Sequence, residues 1–100
     1  MVVVVFRARI REDADMEQLA ALNQRMSELV TGMPGFRGMK DYSSEDDEVV
    51  TIVEFDTLEQ VAAWKDHPEH RVAQERGRKE FLADYRIQVC VESYGYGMSG

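Results

Sequence analysis

Trp64, His67 and His70 are the only tryptophan and the two histidines of this chain, and they fall within seven residues. An imidazole titrates near neutral pH, with an unperturbed pKa of about 6.5, and an indole offers a flat apolar wall. Side by side at a pocket mouth, the two could take a proton from a bound aromatic molecule and hold the anion that results. His70, with Glu69 and Arg71 as neighbours, is the candidate base, although the same charged surroundings suit a solvated ring. Trp64 is a pocket wall, a core aromatic, or both. His67 directly precedes Pro68 and reads most simply as a helix cap. Asn23, between Leu22 and Met26, either marks the edge of an apolar stripe or turns its amide N–H toward a substrate oxygen, as in an oxyanion site. The candidate catalytic set is therefore His70, Trp64 and Asn23, with Tyr85, Met26 and Phe55 as candidate substrate-binding residues.

These side chains need a scaffold, and hydrophobic periodicity supplies one. Val2 to Ile10 alternate as a strand, with Val2, Val4, Phe6, Ala8 and Ile10 on one face and Val3, Val5, Arg7 and Arg9 on the other. Asp13 and Asp15 provide capping carboxylates for a helix whose stripe is Leu19, Leu22, Met26, Leu29 and Met33, ended by Gly32 and Pro34. Period two returns from Phe36 to Ser43 and from Glu48 to Phe55, and the polar cluster Ser44-Glu45-Asp46-Asp47 makes the pair a hairpin. A Thr57-x-x-Gln60 capping arrangement opens a short helix to about Asp66, Pro68 restarts helix through about Ala83, and Tyr85, Ile87, Val89 and Val91 mark a last strand. Trp64 and His70 thus sit on either side of a helix break.

The order β-α-β-β-α-β predicts an α+β, ferredoxin-like fold: a four-stranded antiparallel sheet with its helices on one face. The strands are apolar on both faces, since Val3 and Val5 oppose Val4 and Phe6 while Val50 and Ile52 oppose Val49 and Val53. A solvated second face would leave a large apolar patch, so a homodimer is expected, two sheets stacked face to face about a two-fold axis.

A chain of 100 residues is read as one domain, 1–100, with residues 97–100 as a flexible tail. Its formal charge of −7 speaks against a nucleic-acid partner. The basic run Arg71 to Lys79 reads as a solvated helix face rather than an anion-steering patch. Cys90, the single cysteine, lies in an apolar strand and is expected to be a buried, inert thiol in a reducing compartment, with the cytoplasm as the default. The run Val2 to Phe6 is too short to span a bilayer, and no basic leader precedes it, so no membrane partner is expected. Phosphate loops, cysteine pairs, metal-spaced histidines and Ser-His-Asp arrangements are missing from the pattern, so no metal or nucleotide cofactor is expected.

Strand-ending Glu54-Phe55, then Trp64 with His67-Pro68-x-His70, then Tyr85 to Val91, together with the Pro34-Gly35-Phe36 turn, resemble the antibiotic biosynthesis monooxygenase (ABM) family over nearly the whole chain. The resemblance implies a dimeric α+β barrel. Among the activities found on that plan, it implies cofactor-independent oxidation of a small aromatic, polyketide-like or quinol substrate by O2. A non-catalytic dimeric module binding a small apolar ligand is the alternative reading. The haem-degrading branch would need an asparagine on the first strand and a histidine about ten residues beyond the tryptophan, where this chain has Arg7, Ala8 and Gln74, so haem binding is the minor reading.

Overall fold

The computed structural model describes residues 1–98. Its elements follow the order β1 (Val2–Ile10), α1 (Met16–Thr31), β2 (Phe36–Ser43), β3 (Val49–Phe55), α2 (Leu58–Asp66), α3 (Pro68–Arg76), a π-helical turn (Gly77–Phe81) and β4 (Leu82–Val91). The four strands form one antiparallel sheet in the order β2-β3-β1-β4, the ferredoxin-like arrangement. No helix is long and apolar enough to cross a membrane.

Register decides which side chains share a face, because residues directly opposite in adjacent strands point the same way. Val2 lies opposite both Phe55 and Val91, and Val4 opposite Val53 and Val89. The helices pack on this face. Val2 and Phe55 join Val30 of α1 and Val61 and Trp64 of α2 in one buried cluster, with Val4, Val53, Met26, Leu29, Met33 and Phe36 packed around it. Val30, four residues after Met26, is 1% exposed although it stands outside the expected stripe, whereas Leu22 and Met33 are only partly buried. A helix crossing a twisted sheet presents a face that drifts along its length, so position 30 takes the place that strict spacing gave to its neighbours.

Local chemistry explains the ends. Asp15 caps α1, its carboxylate accepting from Gln18 N at 3.1 Å. Gly35 turns the chain into β2 with φ at +79°, a conformation that glycine adopts without a Cβ penalty. Asp56 N then donates to Gly35 O at 3.0 Å and ties the end of β3 to that turn.

Two expectations are corrected. The last helix stops short of Ala83: it widens into the π-turn after Arg76, and β4 begins at Leu82, paired with Ile10. Phe81, 1% exposed, anchors the transition, and Arg11 N donates to Phe81 O at 2.8 Å, so pairing with the full length of β1 starts the strand earlier than its alternation shows. Cys90 is exposed, not buried. It lies opposite Val3 on the face away from the helices and on an edge strand, where nothing within one chain covers it. Of the tail 97–100, Ser99 and Gly100 lie outside the described residues.

Candidate functional site

The site begins with the start of α2. Thr57 Oγ1 accepts from Gln60 N at 3.2 Å while Gln60 Oε1 accepts from Thr57 N at 3.0 Å, a complete capping box. With the first turn fixed, Val61 and Trp64 point into the core. His67 then leaves the helix with ψ near 130°, the extended conformation favoured before a proline. Its Nδ1 accepts from Glu69 N at 3.2 Å, which caps α3 and engages that nitrogen structurally.

One turn into α3, His70 folds back over Trp64. The rings stack with centroids 4.0 Å apart and planes 12° from parallel. His70 Nδ1 lies 2.9 Å from Trp64 O, and a carbonyl only accepts, so Nδ1 carries the proton and donates. Gln74 Nε2 stands 3.3 Å from the same nitrogen, but it donates to Lys65 O at 3.0 Å; the two N–H groups are neighbours rather than bonded partners. Nε2 of His70 is left with the lone pair. Burial against Trp64 pushes the His70 pKa below its ordinary value; the hydrogen bond to Trp64 O opposes that shift, and His67 adds to it. The ring is therefore neutral at pH 7, with a free basic nitrogen.

The other candidates lie elsewhere. Asn23 is exposed on α1. Phe55 is 0% exposed and meets Phe36 edge-on at 5.9 Å, so it supports the core. Met26 packs on the core and also lines an open, largely apolar groove of about 290 Å³ with Leu22, Pro68 and Val72, at the α1–α3 contact joined by the two-pronged Arg25–Glu69 ion pair. Tyr85 is 41% exposed and stacks on Phe6 at 6.1 Å, beside the exposed Ile87 and Val89 of β4. The structure thus brings Trp64 and His70 together and seats Phe55 in the same buried cluster as Trp64, while Asn23 and Tyr85 stay exposed. Gln74 was absent from the candidate set; its position four residues after His70, on the same helical face, is the signal that marks it.

A second open groove, polar and about 380 Å³, lies at the α2–α3 joint and includes Lys65, Gln74 and Arg78. Most of the basic run beside it is neutralised locally: Arg71 pairs with Asp66, Arg76 with Glu80 and Lys79 with Glu75.

The family model for antibiotic biosynthesis monooxygenases matches residues 1–76. The chain belongs to this family. Among ABM-like structures, Rv0793 from Mycobacterium tuberculosis superposes with a TM-score of 0.82 at 20% identity, covering 96% of this chain and 98% of that one. SnoaB, a cofactor-independent oxygenase from Streptomyces nogalater, gives 0.76 at 12% identity, covering 94% of each. A dimeric ferredoxin-like protein of unknown function from Thermobifida fusca gives 0.71 at 17% identity, covering 92% of each. These likenesses establish the ABM fold. The uncharacterized protein YqjZ of Bacillus subtilis is 30% identical over 67 residues, which is 67% of this chain and 59% of that protein, so the chain spans well under two thirds of its relative's length.

Proposed function

We propose that this ABM-family protein is a cofactor-independent monooxygenase acting as a homodimer on a small aromatic, polyketide-like or quinol substrate. The observation that carries the reading is the neutral His70 ring, clamped by its stack on Trp64 and its Nδ1–H bond to Trp64 O, with Nε2 free to accept a proton. A base held in one orientation loses no rotational freedom when it reacts, and the buried indole beneath the imidazole holds that orientation. Deprotonation of a phenol or an activated C–H gives an electron-rich anion that can pass an electron to O2 without a metal or flavin, so the protein need only position, deprotonate and shield it from water. SnoaB shares the fold and is described as a cofactor-independent oxygenase.

The second reading, a non-catalytic dimeric module for a small apolar ligand, is favoured by one observation: the largely apolar groove between α1 and α3 is lined by Leu22, Met26 and Val72 and not by Trp64 or His70. Oxygen uptake separates the two. Metal-free, flavin-free protein is given a panel of anthrones, naphthols and quinols, with Trp64→Phe and His70→Ala alongside. Uptake that falls with His70→Ala, in protein of unchanged fold, supports the oxygenase. Uptake indifferent to both substitutions removes this site, and no uptake across the panel favours the binding module.

A further inference from the structure

The joint between α2 and α3 carries hydrogen-bond donors that the fold does not use. Its open polar groove, of about 380 Å³, is lined by Lys65 and Asp66 at the end of α2 and by Arg71, Gln74, Glu75 and Arg78 beyond the break. Arg71, Gln74 and Arg78 stand three and four residues apart, so α3 and the π-helical turn after it present them along one side, beside the end of α2.

The charges of this groove do not cancel. Arg71 pairs with Asp66 at 3.2 Å, and Lys79, from outside the groove, pairs with Glu75 at 2.7 Å. Glu75 is held below the usual carboxylate range first by that Lys79 bond, and Arg78 acts on it only as a nearby charge. Among the described residues, neither Lys65 nor Arg78 forms an ion pair. Two cations are left over there, in a chain whose net charge is −7. Gln74 adds a neutral donor, because a primary amide has two N–H groups. One goes to Lys65 O at 3.0 Å, and the other finds no acceptor in His70 Nδ1, 3.3 Å away, which carries its own proton. The α2 carbonyls that would repel an anion are engaged as well: Trp64 O accepts from His67 N at 3.1 Å and from His70 Nδ1, and Lys65 O accepts from Gln74.

We infer that the α2–α3 joint binds a small oxyanion, a carboxylate or a phosphate, held by Lys65 and Arg78 with the spare N–H of Gln74 as a third donor. Matched carboxylates, capped carbonyls and unused N–H groups are together the chemistry that such an anion requires. Arg78 offers a planar fork that takes two oxygens of one group, and Lys65 a point charge on a flexible stem. The site goes beyond the oxygenase reading and stands whether or not the protein oxidises anything. Gln74 places the anion one side chain from the His70 ring, which makes that ring a reporter of occupancy.

NMR titration of the isotope-labelled full chain tests this, with inorganic phosphate in one arm and benzoate in the other, at constant ionic strength so that general screening does not change. At least one of the two anions should give saturating shifts at the Lys65 and Arg78 amides and the Gln74 side chain. Lys65→Ala and Arg78→Ala should each weaken that binding about fivefold, the effect of one exposed charged hydrogen bond. Lys40→Ala, which removes the same charge from β2, should leave it unchanged. Gln74→Glu, which exchanges the spare donor for a carboxylate, should abolish it, read at the Lys65 and Arg78 amides. Circular dichroism of each variant confirms that the fold is kept. Tighter binding of benzoate, with a shift of the His70 ring, would assign the site to the carboxylate of an organic acid, and tighter binding of phosphate would assign it to a phosphate. No saturation with either anion, or equal weakening by Lys40→Ala and Lys65→Ala, would overturn the site.

Discussion

Gly35 holds together two parts of this molecule that are far apart in sequence, and replacing it with alanine is expected to cost about 2 to 3 kcal/mol. The first part of that cost is conformational. At φ of +79° a Cβ meets the backbone unfavourably, a strain of roughly 1 to 2 kcal/mol. The second part is specific to this fold. A Cβ built on Gly35 would lie 1.7 Å from Gln60 Oε1, the atom that accepts from Thr57 N in the capping box of α2. The side chain of Gln60 must move and release that bond, removing about 1 kcal/mol of capping. In a Gln60→Ala background the clash is gone and only the backbone strain remains. Urea unfolding of the wild type, Gly35→Ala, Gln60→Ala and the double variant forms a double-mutant cycle, in which the two costs should fail to add by about 1 kcal/mol. Equal costs of Gly35→Ala in both backgrounds would refute the idea that the bare Gly35 backbone makes room for the α2 cap.

Three further outcomes follow from the site. NMR titration should place the His70 pKa below about 6.5, with Nδ1 protonated in the neutral ring. Because the folded-state value is depressed, the unfolded chain binds the proton first: His70's contribution to stability is full above pH 6.5 or so and is lost as pH falls through the folded pKa, and His70→Gln should flatten that part of the pH profile. Trp64→Ala should destabilise by about 3 to 5 kcal/mol in thermal or urea unfolding, as expected for an aromatic removed from a core, and should bring the His70 pKa back up; Trp64→Phe, which keeps a ring under the imidazole, should cost less. Asp15→Ala should cost about 1 kcal/mol through loss of the α1 cap, read by the same unfolding assay.

The architecture was legible because its signals are local. Period-two alternation gave all four strands, and capping carboxylates, Gly32, Pro34 and Pro68 punctuated the helices within a residue or two. The Thr57–Gln60 box and the His67 cap were readable for the same reason, since each involves residues two or three apart. β4 was harder. Its first residues are fixed by pairing with β1 and by the burial of Phe81, interactions over some seventy positions that leave no mark in local alternation. Cys90 failed for a related reason, because an apolar neighbourhood in sequence does not reveal whether anything covers an edge strand.

By itself, the sequence determined the order of the elements, the two apolar faces of the sheet and the closeness of Trp64 to His70 along the chain, all consequences of helical and strand periodicity acting over a few residues. Only the tertiary structure decided that His70 stacks on Trp64 with Nδ1 held by a backbone carbonyl, that Phe55 supports the core while Asn23 faces outward, and that Arg7 confronts Arg86 across two strands. Those facts depend on the angle at the α2–α3 break and on strand register. Both are set by packing between residues distant in the chain, where the free energy of contact, and not local propensity, chooses the outcome.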